Sequence, residues 1–161
     1  IRITAFPWIS KDGRRWQAPP ALLPYNPRAS HVFENDNIEA VCDQLVPKSS
    51  GDHSVPRFTW WPHKGTEEWI EYRFDSPKLV SSVSVYWFDD TGRGECRVPK
   101  SWTIQGFRNG KPVELSLLNS PTCEKDKYNI LKFLPTNVDR LRISANLQEG
   151  FSAGILEWQL R

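Results

Sequence analysis

Two segments of the sequence carry charged and aromatic side chains at close spacing. The first contains Asp52, His53, Arg57, Trp61 and His63, and the second contains Asp89, Asp90, Arg93 and Arg97. Carboxylate, imidazole and guanidinium groups hydrogen-bond hydroxyl groups, while an indole ring covers an apolar face, and this combination binds sugars. The candidate ligand-binding residues are His53, Arg57, Trp61 and His63 of the first segment and Asp89, Asp90, Arg93 and Arg97 of the second. The alternative is that the acids and arginines pair with one another to brace long loops, with the tryptophan capping the core.

Catalysis has little support in the residue pattern. The adjacent acids Glu67-Glu68 and Asp89-Asp90 would point to opposite faces of an extended segment, so neither pair could act on one glycosidic bond. Cys96 stands beside Arg97, but no orienting His or Asn motif accompanies this thiol, which favours an unreactive loop cysteine. We therefore predict no catalytic residue in this chain.

The cysteines and histidines match no recognised metal motif. The cysteines are odd in number and contain no CxxC spacing: Cys42, Cys96 and Cys123. This excludes a four-cysteine zinc site and a complete disulfide framework, although one disulfide bond stays possible. The histidines lack zinc spacing as well: His31, His53 and His63.

Length and charge narrow the class of protein further. A chain of 161 residues is the size of one domain. Its formal net charge of +2 argues against nucleic acid or an anionic membrane as the main partner. No apolar run approaches the roughly 20 residues of a membrane span. The chain opens without an initiator Met, on the strand-like sequence IRITAFPW, which suggests a piece of a longer protein.

Alternation of apolar and polar residues predicts several short strands that each bury one face. The alternating runs are residues 70–74, 83–87, 102–105, 113–117, 141–147 and 156–160. Asn109-Gly110 between two of these runs is a strong signal for a two-residue hairpin turn. The pattern predicts an all-β fold, an antiparallel β-sandwich with one short helix.

The short helix is indicated by an apolar stripe of residues 38, 41, 42 and 45. Asp36 and Glu39 predict a capping box at its start, and Pro47 follows its end. Four prolines between residues 19 and 27 block regular structure before it. We therefore predict an irregular connection over residues 1–30, packed on a sandwich domain that spans residues 31–161.

The order of these features resembles the discoidin or coagulation factor 5/8 type C domain. This galactose-binding-like jelly roll includes the carbohydrate-binding modules of family 32. The matching positions are Asp43, Thr59, Trp61, Trp69-Ile70, Pro99-Lys100-Ser101-Trp102, Asn109-Gly110 and Gly154-Ile155-Leu156-Glu157. The chain departs from family 32 at Gln44, where glycine is usual, and in a longer loop over residues 43–60.

The resemblance implies two sites. Segments 52–63 and 89–97 would lie together at the end of the sandwich where ligands of the family bind. A structural calcium ion would be held by Asp43 at the helix end, by loop carbonyls and by Glu157 of the last strand, a set of oxygen ligands that suits calcium. The alternative for Glu157 is a hydrogen bond or an arginine partner.

Two longer runs carry a narrower resemblance. FTWWPHKGTEEW (58–69) and YWFDDTGRGECRVPKSW (86–102) are similar to a domain near the C-terminus of β-L-arabinofuranosidase-like glycoside hydrolases, family 127 and relatives, common in gut Bacteroidetes. This implies a non-catalytic carbohydrate-binding accessory domain of a bacterial polysaccharide-degrading enzyme, periplasmic or extracellular. Its partners would be plant cell-wall or other oligosaccharides and the catalytic domain of the parent enzyme. The alternative is a purely structural sandwich that packs on the catalytic domain, for instance through Trp8 and Trp16.

Overall fold

The structure is a computed structural model that describes residues 18–161. Its strands are β1 (Arg28–Ala29), β2 (Phe58–Thr59), β3 (Glu67–Phe88), β4 (Ser101–Arg108), β5 (Lys111–Val113), β6 (Tyr128–Asn146) and β7 (Gly154–Leu160). A 3-10 helix (Ile38–Cys42) lies between β1 and β2. The predicted packing of Trp8 and Trp16 falls outside the described residues. Within the described part of the chain, no helix is long and apolar enough to cross a membrane.

All pairs of named strands are antiparallel. The order across the sheet is β2-β7-β3-β6-β4-β5, and β1 pairs with the first part of β3. Residues 67–73 of β3 pair with 140–146 of β6, whereas residues 82–86 pair with 128–132 of β6 and with β7. Register shifts after Arg73 and Val80 separate these two parts of the ladder, and such bulges bend a strand. One bent sheet thus forms both layers, which confirms the predicted antiparallel β-sandwich.

Aromatic side chains fill the space between the layers. Trp60, Trp87, Trp102 and Trp158 are buried, and Tyr72 stacks on Trp158 with ring centroids 3.9 Å apart. Truncation of a buried tryptophan to alanine generally costs about 3–5 kcal/mol, so these four side chains are a large part of the stability of the domain. They account for half of the eight tryptophans in the sequence.

The hairpin prediction is confirmed. Asn109 and Gly110 have φ angles of 51° and 74°, and Arg108 pairs with Lys111 across them. Two positive φ angles in a two-residue loop match the right-handed twist of the flanking strands. The predicted strand over 113–117 is shorter, because β5 ends at Val113 and only Leu117 makes an isolated bridge to Phe133.

The helix differs from its prediction in type and in cap. It is a 3-10 helix of five residues, and the Asn37 side chain, not Asp36, accepts the hydrogen bond from the Glu39 N–H. The Asp36 carboxylate is instead engaged by Arg57 and Thr59. Asp36 therefore does not cap the helix as the local spacing predicts, because tertiary contacts engage its carboxylate.

The connection before the helix packs on the first layer. Tyr25 contacts the rings of Tyr72 and Phe74 at centroid distances of 5.0 and 5.4 Å. Arg28 and Ala29 hydrogen-bond to β3 as strand β1. The domain boundary at residue 30 stays a prediction, since β1 joins the sheet just before it.

Candidate functional site

The two loops that carry the candidate binding residues enclose a pocket with the segment before the helix. Its cavity volume is about 160 Å³. Three of the candidate residues line it: Arg57, Trp61 and Asp90. The other lining residues are Phe33, Asp36, Thr59, Phe88, Gly94, Glu95 and Cys96.

The polar side of the pocket is a hydrogen-bonded group of three residues. Arg57 Nε lies 3.2 Å from Asp36 Oδ1, and the Thr59 hydroxyl donates to Asp36 Oδ2. Burial raises the pKa of Asp36, an effect that Thr59 and Arg57 oppose. Strand β2 places Thr59, and the turn before the 3-10 helix places Asp36. The Asp36 side chain is only 2% exposed and both of its oxygens are engaged, so it positions the Arg57 guanidinium, which is 32% exposed and is the donor that a ligand can reach.

The apolar side consists of aromatic rings. Phe33, Trp61 and Phe88 line the cavity, and the Arg57 guanidinium lies 5.2 Å above the Phe88 ring. Lys64 Nζ lies 4.8 Å from the centroid of the Trp61 ring. Aromatic faces beside charged hydrogen-bonding groups allow a ligand to be stacked and oriented at once.

The second loop contributes a tight turn around Asp90. Asp90 Oδ1 accepts a hydrogen bond of 2.8 Å from the Cys96 N–H. A Cβ atom at Gly94 would lie only 2.1 Å from Asp90 Oδ2, so any larger residue would have to displace the Asp90 carboxylate. The Cys96 thiol is buried, and burial together with Asp90 and Asp36 raises its pKa to about 12. It is therefore an unreactive thiol, and all three cysteines are free in the structure.

Two candidate residues brace the loop and do not line the pocket. Asp89 is buried, accepts hydrogen bonds from Thr91 and Val98, and pairs with Lys125 at 3.0 Å. Arg97 NH1 donates to the carbonyl oxygens of Gly94 and Cys96, and its guanidinium stacks 4.4 Å from the Phe151 ring. For these two positions, the bracing alternative describes the contacts.

The remaining candidates lie around the pocket but do not line it. His53 Nδ1 lies 3.3 Å from Arg57 NH1, and its ring meets the edge of Phe88. Arg93 is exposed, and its backbone N–H donates to the Asp90 carbonyl. The His63 side chain contacts Glu68 and not the pocket. The Trp61-Pro62 peptide bond just before it is cis.

His63 belongs to a polar cluster at the start of β3. Its Nδ1 lies 2.5 Å from Glu68 Oε1, and its ring stacks on His31 at a centroid distance of 4.1 Å. The His31 Nε2 lies 2.8 Å from the Trp61 carbonyl oxygen. Through the contact of His31 with the Trp61 carbonyl, this cluster positions the backbone of Trp61.

Hydrogen bonds hold Glu68 in its ionised form. Burial alone would raise the pKa of Glu68, but hydrogen bonds from Ser30, Thr66 and His63 lower it below its ordinary value. The neighbouring Glu67 is exposed. The two acids thus point to different environments, as the sequence predicts for adjacent residues of a strand.

The two residues predicted to hold a metal lie close together. Asp43 ends the 3-10 helix, and its Oδ1 accepts from the Leu45 N–H at 2.8 Å. Glu157 on β7 is completely buried, and neither of its carboxylate oxygens makes a hydrogen bond of good geometry within the described residues, although the Gln44 backbone N–H is near enough to lower the pKa of this acid in part. Burial first, and the Asp43 charge second, raise the pKa of Glu157 to about 8. Two acids in one buried place with unpaired oxygens fit a bound cation.

The backbone around Asp43 also fits the predicted site. Gln44, which replaces the usual glycine of family 32, has a φ angle of 64°. That conformation is the left-handed one in which glycine is favoured, so Gln44 adopts here a backbone conformation that is typical of glycine. No group of three or more His, Cys, Asp or Glu side chains within residues 18–161 is arranged to hold a metal ion. The other ligands of a cation at Asp43 and Glu157 would therefore be carbonyl oxygens or water, as calcium accepts.

Sequence reasoning missed most of the residues that line the pocket. Phe33 and Asp36 come from the segment before the helix, which shows no alternation, and Asp36 is predicted only as a helix cap. Thr59 is among the family-matching positions, but its partner is not visible from spacing. A signal was present in the closeness of Phe33 and Asp36, an aromatic residue and an acid on one turn.

Comparison with known proteins finds similar solved structures but no similar sequence family. No protein-family model matches the chain, and no curated protein matches it. Among solved structures, the chain is similar to the family 32 carbohydrate-binding module of Clostridium perfringens NanJ in complex with galactose. The TM-score is 0.63 at 13% identity, over 85% of this chain and 93% of that one.

Two further structures agree with the first. Part of the Streptococcus pneumoniae β-galactosidase BgaA matches with a TM-score of 0.67 and 21% identity, over 89% of this chain and 94% of that one. Chitosan-binding module 1 from a Paenibacillus chitosanase/glucanase matches with a TM-score of 0.62 and 16% identity, over 87% and 96%. At these identities the likeness establishes the fold, and this chain folds as the galactose-binding-like jelly roll of family 32 carbohydrate-binding modules.

Proposed function

We propose that this chain is a non-catalytic carbohydrate-binding domain whose ligand site is the pocket between residues 52–63 and 89–97. The observation that carries the proposal is the grouping of Asp36, Arg57 and Thr59 beside the Trp61 ring in one cavity. The Arg57 guanidinium, held in place by Asp36, donates to a sugar hydroxyl, and the indole covers the CH-rich face of the ring. The named binding partners of similar structures, galactose and chitotriose, are consistent with this class of ligand.

The expected affinity is modest. A single pocket of this kind supports a dissociation constant of about millimolar to micromolar, or roughly −4 to −8 kcal/mol. Substitution of Trp61 by alanine removes the stacking surface, and we expect a loss of about 1–2 kcal/mol, or about 5- to 30-fold in affinity. At the weak end of this range, binding becomes undetectable.

The experiment is a glycan array followed by calorimetric titration of the best neutral oligosaccharide. Wild type, Trp61→Ala and Arg93→Ala are compared, each with its thermal melt. Arg93 is the matched control, because it belongs to the same loops but does not line the pocket. Equal affinity of folded Trp61→Ala and wild type would place the site elsewhere, and no binding to any glycan would favour a structural role.

The wider setting of the domain is also a proposal. The motifs over residues 58–69 and 86–102 support an origin in a bacterial glycoside hydrolase similar to family 127, exported to the periplasm or beyond. Two of the similar structures come from enzymes named chitosanase/glucanase and β-galactosidase. In that setting the partners are plant cell-wall or other oligosaccharides and a catalytic domain on the same chain. The complete reading frame around this sequence tests the attachment directly.

A structural calcium ion is proposed between Asp43 and Glu157. The support is the unpaired, buried carboxylate of Glu157 and the second carboxylate beside it. A bound cation would keep both groups ionised and tie the helix end to the last strand. In the domain it would act on stability and on loop position.

One observation favours the structural alternative. Large apolar side chains are exposed on β3, on β6 and in the segment after β5: Leu79 on β3, Ile130 and Leu134 on β6, and Leu117 and Leu118 after β5. Apolar surface of this kind is typical of a contact with another domain. Such a contact and a sugar site in the loop pocket are compatible, since they use different residues.

A further inference from the structure

A group of arginines lies on the outer face of the first layer, away from the loop pocket. Arg28, Glu71 and Arg142 are neighbours across β1, β3 and β6, and in the next row Arg73 is paired with Arg140. Paired residues of antiparallel strands point to the same side of a sheet. Their sequence neighbours such as Ile70 and Ile143 are buried in the core, so this arginine face is directed outward.

The arginine face carries more positive than negative charge. Glu71 is completely buried and accepts from Arg73 Nε at 2.6 Å and from Arg142 Nε and NH2 at 2.8 and 2.7 Å. Burial alone would raise the pKa of Glu71, but these hydrogen bonds lower it, so the carboxylate is ionised. One carboxylate serves three guanidinium groups, counting Arg140. The face therefore keeps uncompensated positive charge.

Arg140 is held in place by stacking and not by hydrogen bonds. Its guanidinium lies 3.9 Å from the Phe107 ring centroid, and its nearest carboxylate oxygen, on Glu71, is 3.8 Å away. Among residues 18–161, no acceptor lies within hydrogen-bond geometry of this guanidinium, whose side chain is 23% exposed. Stacking fixes the plane of the group and leaves its N–H edge available, which is the arrangement that suits a carboxylate.

The acids nearest to this face limit where an anion can bind. Asp75 and Asp139 line a depression together with Arg73 and Arg140. Asp75 accepts from the Asn26 side chain, and Asp139 accepts from the Asn109 N–H. An anion is therefore favoured over the rows of Arg140 and Arg142 and disfavoured in the depression. Arg142 also stacks on a ring, with Trp69 at 4.3 Å, so two guanidinium planes are fixed in this area.

We propose that the arginine face binds the carboxylates of an acidic polysaccharide, that is, a chain of uronic acid residues, at a second site separate from the loop pocket. The two fixed guanidinium groups, Arg140 and Arg142, are two residues apart on β6, or about 6.8 Å, and Arg73 is paired with Arg140 on the neighbouring strand, about 4.8 Å away. This row of positive groups suits a polymer that presents one carboxylate per sugar residue. The choice of a glycan as the carrier of the carboxylates rests on the proposed carbohydrate-binding function. The attraction to carboxylates rests on the arginine face alone.

The test is binding of oligogalacturonate at low ionic strength, with the fully methyl-esterified oligomer as the neutral match. Wild type is compared with Arg140→Gln and with Lys132→Gln. Arg140→Gln breaks no hydrogen bond of the folded protein, because the Arg140 guanidinium makes none. Lys132→Gln removes the same charge from an exposed position farther along β6. We expect Arg140→Gln to weaken binding by about tenfold to a hundredfold and Lys132→Gln to leave it unchanged. The ester should not bind at this face.

Three results would overturn the proposal: equal loss in both variants, equal binding of the esterified oligomer, or equally tight binding of poly-glutamate, which would indicate an acidic protein partner. If Arg140→Gln does not fold, Arg140→Lys replaces it. This variant keeps the charge and loses the planar guanidinium group, and its affinity for oligogalacturonate is compared with that of Lys132→Gln in the same way. Trp61→Ala separates this site from the loop pocket. If Trp61→Ala loses binding of the neutral glycan and keeps binding of oligogalacturonate, the two sites are separate. If the wild type binds no neutral glycan, the comparison of Arg140→Gln with Lys132→Gln still decides whether the arginine face binds carboxylates.

Discussion

Removal of divalent cations is expected to lower the melting temperature of this domain, and the effect is expected to grow as the pH rises from 5 to 8. In the metal-free protein, burial and Asp43 raise the pKa of Glu157 to about 8 from an ordinary value of 4.5. The folded state then binds more protons than the unfolded state between these values, so its stability falls with rising pH. The slope is at most about 1.4 kcal/mol per pH unit for one group. The proposed calcium ion would compensate the two carboxylates and remove this loss.

The measurement is a set of thermal melts in calcium and in chelator at several pH values. Glu157→Gln mimics the protonated acid, so its melting temperature is expected not to depend on calcium and to lose the part of the pH dependence that Glu157 contributes. About 1 kcal/mol corresponds to about 2–4 °C for a chain of this size, so shifts of several degrees are expected in wild type. Glu114→Gln, at an exposed position, controls for loss of one negative charge. If wild type and Glu157→Gln give the same melting curves in chelator and in calcium, there is no metal at this place.

Substitution of Gly154 by alanine is expected to destabilise the domain strongly. A Cβ atom there would lie 2.3 Å from the Phe58 carbonyl oxygen and 2.7 Å from Thr59 Cγ2. Gly154 is paired with Thr59 at the start of β7, so the backbone of β2 would have to move. Overpacking costs about 1–3 kcal/mol and occasionally more, and we expect the upper part of this range. The displaced Thr59 would also release Asp36 and weaken glycan binding.

Urea unfolding measures this effect as a lower midpoint at unchanged slope. Gly51→Ala is the matched control, because its Cβ would meet nothing closer than 3.3 Å, at the Asp89 carbonyl oxygen. A Gly154→Ala midpoint equal to that of Gly51→Ala would contradict the close approach of β2 and β7.

The sequence predicts best where a signal is local. Alternation over 141–147 and the Asn109-Gly110 turn depend on neighbouring residues, and the structure has both. Alternation alone does not show that residues 70–74 and 83–87 belong to one strand, because the bulges between them interrupt the period. The first part of β6 shows why short apolar runs are missed: Ile130 and Leu134 are exposed and Asn129 is buried, the reverse of the usual assignment.

The candidate site was harder to predict than the fold, because its side chains come from distant segments. Asp89 and Asp90 are identical in type and adjacent, yet one braces the loop through Lys125 and the other lines the pocket. Only the direction of each side chain separates them. Asp36 shows the same effect, since Arg57 and Thr59 compete with the helix for its carboxylate. Resemblance supplied the positions of Asp43 and Glu157, which composition and spacing could not.

The passage of β3 and β6 through both layers has a consequence for amide exchange and for folding. Glu67 pairs with Asn146 and Tyr86 with Tyr128 along the same two strands, so both layers share the same two central strands. Amide protons in the middle of these strands should exchange only through global unfolding, whereas those of the short edge strands β2 and β5 should exchange by local opening. Because Glu67 and Asn146 are separated by nearly half of the chain, closure of this ladder is slow, and it should set the rate at which the domain folds.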